Sequence, residues 1–369
     1  MKKRKLILED GTVFHGTAFG DSFEVKSGEV IFNSAMTGYQ EIISDPNYYG
    51  SIVVMTYPSI GTYGINPDDF ESITPTVSGI VVKEVIEQPS NFRTEETLDH
   101  FLKNHQIPGI ANIDTRMLTR ILRKKGTMKG IITDEISSEE EVIKELKSNN
   151  DHHHFVKNIS VNKPYIVPGQ GERIVVVDLG MKQQILHELT KRNCHVTVVP
   201  YDYDAENIKR LKPDGILLSN GPGNPSQLAE TKETVKQLLG EIPIFSIGIG
   251  HQVFALACGA ETTKLKVGKY GSNYAVKELK KDKTWMAAVS HHYIVDEKSC
   301  ENNNLEITYR SLNDGTIEGL SHQIHSAFSV QFNPEGAPGS NETSFLFDEF
   351  LQMTEQFNDK TGGNSDATK

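Results

Sequence analysis

Four consecutive apolar residues, Ile174-Val175-Val176-Val177, limit the fold of this chain more than any other feature. A strand buried on one face alternates apolar with polar side chains, whereas an unbroken β-branched run suits a strand covered on both faces. The run leads into Asp178-Leu179-Gly180 and a helical stretch near Lys182 to Lys191, then a second strand at His195 to Val199. A helical pattern over Asp204 to Leu211 and a third strand at Gly215 to Leu218 continue the alternation. Apolar strands separated by helices predict a parallel sheet with helices on both faces, a doubly wound α/β domain.

The first half has a different rhythm of short strands and turns. Leu6-Ile7-Leu8, Asp10-Gly11 and Thr12-Val13-Phe14 read as a hairpin, because Asp-Gly suits a tight turn. Ile52 to Met55 is a buried-strand run, and Thr94 to Asn104 carries a helical face of Thr97, Leu98, Phe101 and Leu102. A second helix is predicted from Thr115 to Lys125, capped by Asp114-Thr115 and stopped by Gly126. Glu139 to Lys147 reads as a charged helix. From 151 to 171, His152-His153-His154, Lys163-Pro164 and Pro168-Gly169-Gln170-Gly171 read as a linker rather than a metal site, since no carboxylate or cysteine spacing accompanies the histidines. The expected organisation is therefore a mixed, β-rich N-terminal α/β domain with linker over 1–171, the doubly wound domain over 172–358, and a polar, disordered tail over 359–369.

Composition narrows the class of function. Thirty-eight Lys and Arg against 49 Asp and Glu leave a formal charge of −11, which disfavours nucleic acid or an anionic membrane as the main partner. The basic start Met1-Lys-Lys-Arg-Lys5 runs into Glu9-Asp10-Gly11 without an apolar core, and there is no run of about 18 apolar residues. Cys194, Cys258 and Cys300 are scattered, so neither a disulfide framework nor a zinc site is expected. A soluble, cytoplasmic protein is the expectation.

Three segments carry the chemistry. Pro243-Ile-Phe-Ser-Ile-Gly248-Ile-Gly250-His251-Gln252 is an apolar strand entering a sharp turn, followed by helix formers through Cys258. Such an elbow raises one side chain above the carboxyl end of a sheet, at a helix N-terminus that lowers a thiol's pKa and binds an oxyanion. Taken alone, a plain strand-to-helix turn explains the segment equally well. Leu217-Leu218-Ser219-Asn220-Gly221-Pro222-Gly223-Asn224-Pro225 places a Gly-Pro-Gly loop after the third strand, where open α/β sheets bind ligands. Phe328-Ser-Val-Gln331-Phe-Asn333-Pro334-Glu335 ends a late strand in a polar turn.

In this order the segments resemble the class I glutamine amidotransferase domain, whose elbow carries G-x-C-x-G-H-Q and whose late strand carries H-P-E. Gly28 to Asn33, Met36-Thr37-Gly38-Tyr39-Gln40-Glu41, Thr56-Tyr57-Pro58, Gly64-Ile65-Asn66, Asp114-Thr115-Arg116 and Lys264-Leu265-Lys266 before Gly268 extend the likeness. They resemble the small subunit of carbamoyl-phosphate synthetase, from about Leu6 to Phe357. The resemblance implies a cysteine that attacks the glutamine amide, a histidine that moves the proton and a glutamate that orients the histidine.

The departures fall on that machinery. Gly248 stands at the cysteine position and Asn333 at the histidine position, and only Glu335 of the triad remains. Glycine has nothing to attack with, and asparagine carries no titratable proton. Of the family's glutamine-binding positions, Gly221, Gly223 and Gln252 are kept, while Ile249 replaces leucine and Tyr293 replaces phenylalanine. Ala35 replaces a hydroxyl or small residue, and Ser290 and His292 stand for asparagine and glycine; the imidazole of His292 argues against glutamine binding. Lys269 and Tyr270 replace a His and an Arg (or His) after the family's Lys-Phe-Gly. Ser246 with His291-His292 is a conceivable substitute for the lost pair, but a serine inside a buried strand is expected to make a local hydrogen bond. Cys258, inside the following helix, reads as a small core residue.

The resemblance thus implies a small subunit pairing with an ATP-using large subunit, as a heterodimer or higher oligomer, to make carbamoyl phosphate for arginine synthesis, pyrimidine synthesis or both. Its own glutaminase is expected to be lost, leaving free ammonia as nitrogen donor. No glycine-rich phosphate loop with lysine is present, so no cofactor is expected on this chain, and ATP and Mg are expected on the partner. A non-catalytic regulator or scaffold, and a glutaminase with an unusual nucleophile, are the alternatives.

Overall fold

The hairpin read at the N-terminus forms. β1 (Lys3–Leu8) and β2 (Val13–Gly20) pair antiparallel, and the Gly11 N–H donates to the Leu8 carbonyl at 2.9 Å. The computed structural model describes residues 2–21, 26–134, 138–148, 154–301 and 303–362, and divides into Met1–His153 with Lys266–Gly271, and His154–Leu265 with Ser272–Lys369.

In the first unit the chain runs through β3 (Lys26–Asn33), α1 (Tyr39–Ser44), β4 (Ser51–Met55), β5 (Ser59–Ile60), β6 (Gly79–Val81) and β7 (Glu84–Val85). It continues through α2 (Leu98–Asn104), β8 (Pro108–Ala111), α3 (Thr115–Lys125), β9 (Met128–Asp134) and α4 (Glu139–Ser148). Seven strands close a barrel in the order β1-β2-β8-β6-β4-β3-β9, and β5 pairs with β7 apart from it. Closure leaves no unpaired edge on the seven strands. Alternation along the strands divides the apolar residues: Leu6, Leu8, Val30, Ile52 and Val54 enter one core cluster, and Ile31, Val53 and Ile80 join Tyr39, Ile42 and Phe101 in another. Lys266–Gly271 belongs to this unit, with the Thr127 N–H donating to the Lys266 carbonyl at 3.0 Å and the Tyr270 ring buried 5.4 Å from that of Tyr48.

Two helix readings are refined here. Thr97 is not part of the helical face but the cap of α2, its hydroxyl accepting from the His100 N–H at 3.2 Å. α3 starts and stops where the sequence places it, with the Asp114 carboxylate accepting from the Met117 N–H at 2.9 Å and Gly126 at its C-terminal end. Asp114→Ala is expected to cost about 1 kcal/mol of stability. Urea denaturation checks this, and an unchanged midpoint would mean that the cap contributes nothing.

The second unit holds α5 (Phe155–Ile159), β10 (Tyr165–Val167), β11 (Arg173–Asp178), α6 (Gln183–Lys191), β12 (His195–Pro200), α7 (Ala205–Arg210), β13 (Gly215–Leu218) and α8 (Ala229–Leu238). These lead to β14 (Ile244–Ile247), α9 (Ile249–Ala257), β15 (Thr262–Glu278), β16 (Lys283–Val295), α10 (Glu297–Cys300), β17 (Leu305–Ser311), β18 (Ile317–His322), β19 (Ala327–Val330) and α11 (Phe345–Gly362). The ten-stranded sheet has the order β10-β12-β11-β13-β14-β19-β18-β17-β15-β16. Its centre, β12 to β19, is parallel as expected. β10 and the β17–β18–β19 pairings are antiparallel, so the sheet is mixed rather than parallel throughout. The β-branched runs are covered on both faces: Val175 and Val177 pack toward Val235 and Val253, and Ile174 and Val176 toward Ile185, Leu189 and Phe350.

Two boundaries differ from the sequence reading. The stretch taken as a linker contains α5 and β10, and β10 pairs with β12, so the second unit begins at His154 rather than 172. Prolines 164 and 168 bracket a three-residue strand too short to carry an alternation pattern. At the other end α11 runs on to Gly362, beyond the start expected for the polar tail; 363–369, like His152 and His153, lie outside the described residues.

Candidate functional site

Three loops leave neighbouring strands at one edge of the parallel sheet. β14 lies between β13 and β19, with Leu218 beside Ser246 and Ile247 beside Val330. The turns after these strands carry Asn220-Gly221, Gly248 and Asn333 to Glu335 respectively.

The elbow forms at Gly248, with φ 60° and ψ −116°, and its N–H donates to the Val330 carbonyl at 2.9 Å. That left-handed φ costs glycine little and strains other residues. Gly250 allows α9 to descend onto the sheet, since a Cβ there would lie 2.6 Å from the Leu218 carbonyl oxygen. Every residue from Ile249 to Ala255 is buried. A Cβ built at Gly248 meets the Cβ of Asn220 at 3.1 Å and its Cα at 3.4 Å, so any side chain there requires Asn220 to give by a few tenths of an ångström.

Asn333, at the base position, is buried and bonded as a structural amide. Its N–H donates to the Ala288 carbonyl at 2.8 Å and its Nδ2 to the Ser290 Oγ at 3.0 Å. Gln252 is likewise occupied, its Nε2 donating to the Tyr293 carbonyl at 2.7 Å and to Gln331 Oε1 at 3.0 Å. The polar groups expected to meet a substrate are thus joined to β16. The ring of His292 lies 6.4 Å from that of Tyr293, edge on.

Glu335 faces a residue the sequence reading did not single out. The Lys182 ammonium lies 3.1 Å from Glu335 Oε1 and donates to the Gly336 carbonyl at 2.7 Å, and both side chains are inaccessible to solvent. Burial pushes the Glu335 carboxyl above the usual carboxylate range, and Lys182 opposes that shift. The Lys182 N–H donates to Asn220 Oδ1 at 3.2 Å, joining this pair to the loop beside Gly248. A lysine opening a helix ordinarily reads as a solvated charge, and only the placement of Glu335 against it marks this one as buried.

The remaining positions divide. A Cβ at Gly221 would approach Ile249 Cγ2 to 3.3 Å, so these two adjoin the elbow, whereas Gly223 faces Phe155. Ala35 belongs to the first unit, buried between β3 and α1 with its N–H on Asn33 Oδ1 at 2.7 Å. Lys269 and Tyr270 are buried in that unit too. Ser246 lies wholly inside β14, and the local hydrogen bond expected of it is absent among the described residues. Its neighbour across the strands, Ser329, is 2.8 Å from His251 Nδ1, and complete burial holds His251 neutral with a pKa of about 3. Cys258 is not inside α9 as read from the sequence but caps its C-terminal end, partly buried against the core, and burial pushes its thiol up to about 12.

An elbow, a glycine-rich loop and a late polar turn on a parallel sheet define the glutamine amidotransferase class, and residues 175–353 match the family described as glutamine amidotransferase class-I. Residues 6–132 match carbamoyl-phosphate synthase small chain, CPSase domain. The chain is 57% identical over 363 residues to the carbamoyl phosphate synthase small chain of Oceanobacillus iheyensis, covering 98% of this chain and 99% of that one. It is 52% identical over 353 residues to the pyrimidine-specific small chains of Halalkalibacterium halodurans and Bacillus subtilis, covering 96% of this chain in both cases and 97% and 96% of theirs. The chain belongs to the carbamoyl phosphate synthase small chain family. Among the described residues no helix is long and apolar enough to cross a membrane.

Proposed function

We propose that this chain is a small subunit that has lost its glutaminase and serves an ATP-using large subunit that draws free ammonia to make carbamoyl phosphate. One observation carries the reading: the elbow is built and buried, but Gly248 has no attacking atom and Asn333 spends its side-chain amide on Ser290. Loss of a triad nucleophile costs on the order of 10⁶ in rate, about 8 kcal/mol of barrier. ATP and Mg chemistry falls to the large subunit in this reading. The pathway served is arginine synthesis, pyrimidine synthesis or both, and the names of two relatives favour pyrimidine. Retention of a family fold over 98% of the chain supports a role that depends on the whole surface, such as pairing in a heterodimer.

The alternative glutaminase with Ser246 as nucleophile is opposed by its complete burial in β14. A regulator or scaffold without a large subunit is separated by copurification. The deciding experiment reconstitutes the chain with a large subunit and compares nitrogen donors. Carbamoyl phosphate is expected from ammonia, with glutamine supporting less than about one part in 10⁴ of that rate. Comparable rates from both donors would overturn the proposal.

A further inference from the structure

Where α5 meets the loop after β13, a cleft of about 230 Å³ opens, lined from both segments and by Tyr201, which follows β12. Phe155, Val156, Pro222 and Leu228 make the lining largely apolar, and Val156 and Leu228 also belong to the buried core beneath. The walls are tied together. The Tyr201 N–H donates to the Ser160 Oγ at 3.0 Å, and the Thr231 Oγ1 donates to the Tyr201 carbonyl at 2.7 Å. On the loop side Asn224 lines the cleft with its Oδ1 fixed by the Ser226 N–H at 3.0 Å and Oγ at 2.9 Å. A pre-formed concavity with an apolar lining and a few polar groups is the usual form of a small-molecule site.

Two opposite charges line the same cleft. Lys157 comes from α5 and Glu230 from the first turn of α8; both are exposed, and among the described residues neither takes part in an ion pair. Burial raises the pKa of the Tyr201 hydroxyl, and Asp202 and Glu230 add to the shift, so that hydroxyl stays a donor near the carboxylate. An ammonium and a carboxylate without partners, set over an apolar lining, fit a ligand that carries both charges on an apolar body. No residue of the elbow, of the late polar turn or of β16 lines the cleft, so it is separate from the triad positions.

We propose that this cleft binds an apolar α-amino acid as its zwitterion, with the ammonium at Glu230, the carboxylate at Lys157 and the side chain on Phe155 and Leu228. A volume of about 230 Å³ suits a molecule the size of leucine. Pro222 lines the cleft, and Phe155 lies 3.3 Å from where a Cβ on Gly223 would stand, so the occupant rests against the loop after β13. The proposal depends neither on the nitrogen donor nor on the missing nucleophile at 248.

L-leucine is the probe, titrated onto the full chain and followed by ligand-observed saturation-transfer NMR. Wild type is expected to saturate with a Kd on the order of 1 mM, in keeping with so small a ligand. Isocaproate is leucine without the ammonium and isoamylamine is leucine without the carboxylate. Each is expected to bind wild type about 10-fold more weakly, the loss of one charge-assisted contact. In Glu230→Gln, L-leucine should lose its advantage over isocaproate, and in Lys157→Met its advantage over isoamylamine. Both side chains are exposed, so each variant without ligand should melt as wild type does. A signal that never saturates, three probes that bind wild type alike, or an advantage that survives in either variant overturns the proposal.

Discussion

Gly248→Cys combined with Asn333→His is expected to raise glutamate release from glutamine at least ~10²-fold above either substitution alone, since positioned proton transfer contributes about 10²–10⁴-fold. The elbow already holds the backbone angles that a nucleophile there requires, and the orphan N–H groups of α9 remain available to an oxyanion. A thiol at 248 stands at a helix N-terminus and gains thiolate character from it. Without a base, however, it acquires no proton acceptor, because Asn333 is an amide held by Ser290. Histidine at 333 supplies the acceptor, and Glu335, two residues on, is the remaining family residue able to orient it. The resemblance sets His292 where the family leaves room for substrate, so kcat should recover further than kcat/KM. Coupled assay of glutamate, together with labelling by a chloromethyl ketone analogue of glutamine, checks both claims. If the single cysteine variant equals the double, Asn333 is not what withholds the proton acceptor.

Much of this was legible from residue order because the signals were local. Asp114 and Gly126 bound α3 as caps and stops do, and four β-branched residues from Ile174 sufficed to place β11 between two layers. The elbow followed from a strand, a Gly-x-Gly turn and a run of helix formers. What escaped was set by partners distant in sequence. β10 owes its existence to β12 rather than to its own three residues, and the antiparallel strands added beyond β19 complete a sheet that the earlier rhythm presents as parallel. Tyr270 reads as a drifted site residue, yet it packs in the core of the barrel unit. Asn220 and Lys182 escaped for the same reason: an Asn in a Gly-rich loop and a Lys opening a helix look solvated until the edge of the sheet closes over them.

That closure makes the loss of Lys182 costly to the fold. Lys182→Met leaves Glu335 without its ammonium in a site no water reaches, and breaking a buried pair by removing one partner costs about 3–5 kcal/mol. For a domain of this size that corresponds to a fall in melting temperature of roughly 6–20 °C. The pH dependence separates lost charge pairing from lost packing. Glu335 has a folded pKa raised by burial, so the folded chain holds its proton more tightly than the unfolded one. The stability this contributes is fully present below the unfolded value of about 4.3 and is lost as pH rises through the folded value. Removing Lys182 removes the opposing influence and moves the folded value higher. The deficit of Lys182→Met relative to wild type should therefore be small near pH 4.5 and widen toward pH 8, at up to ~1.4 kcal/mol per pH unit. Glu335→Gln added to Lys182→Met should recover most of the deficit at pH 8, because an amide needs no counter-charge. Chemical denaturation at the two pH values measures all of this; a deficit equal at both would mean that Lys182 stabilises the edge through its packing and its bond to Gly336, with no contribution from the charge of Glu335.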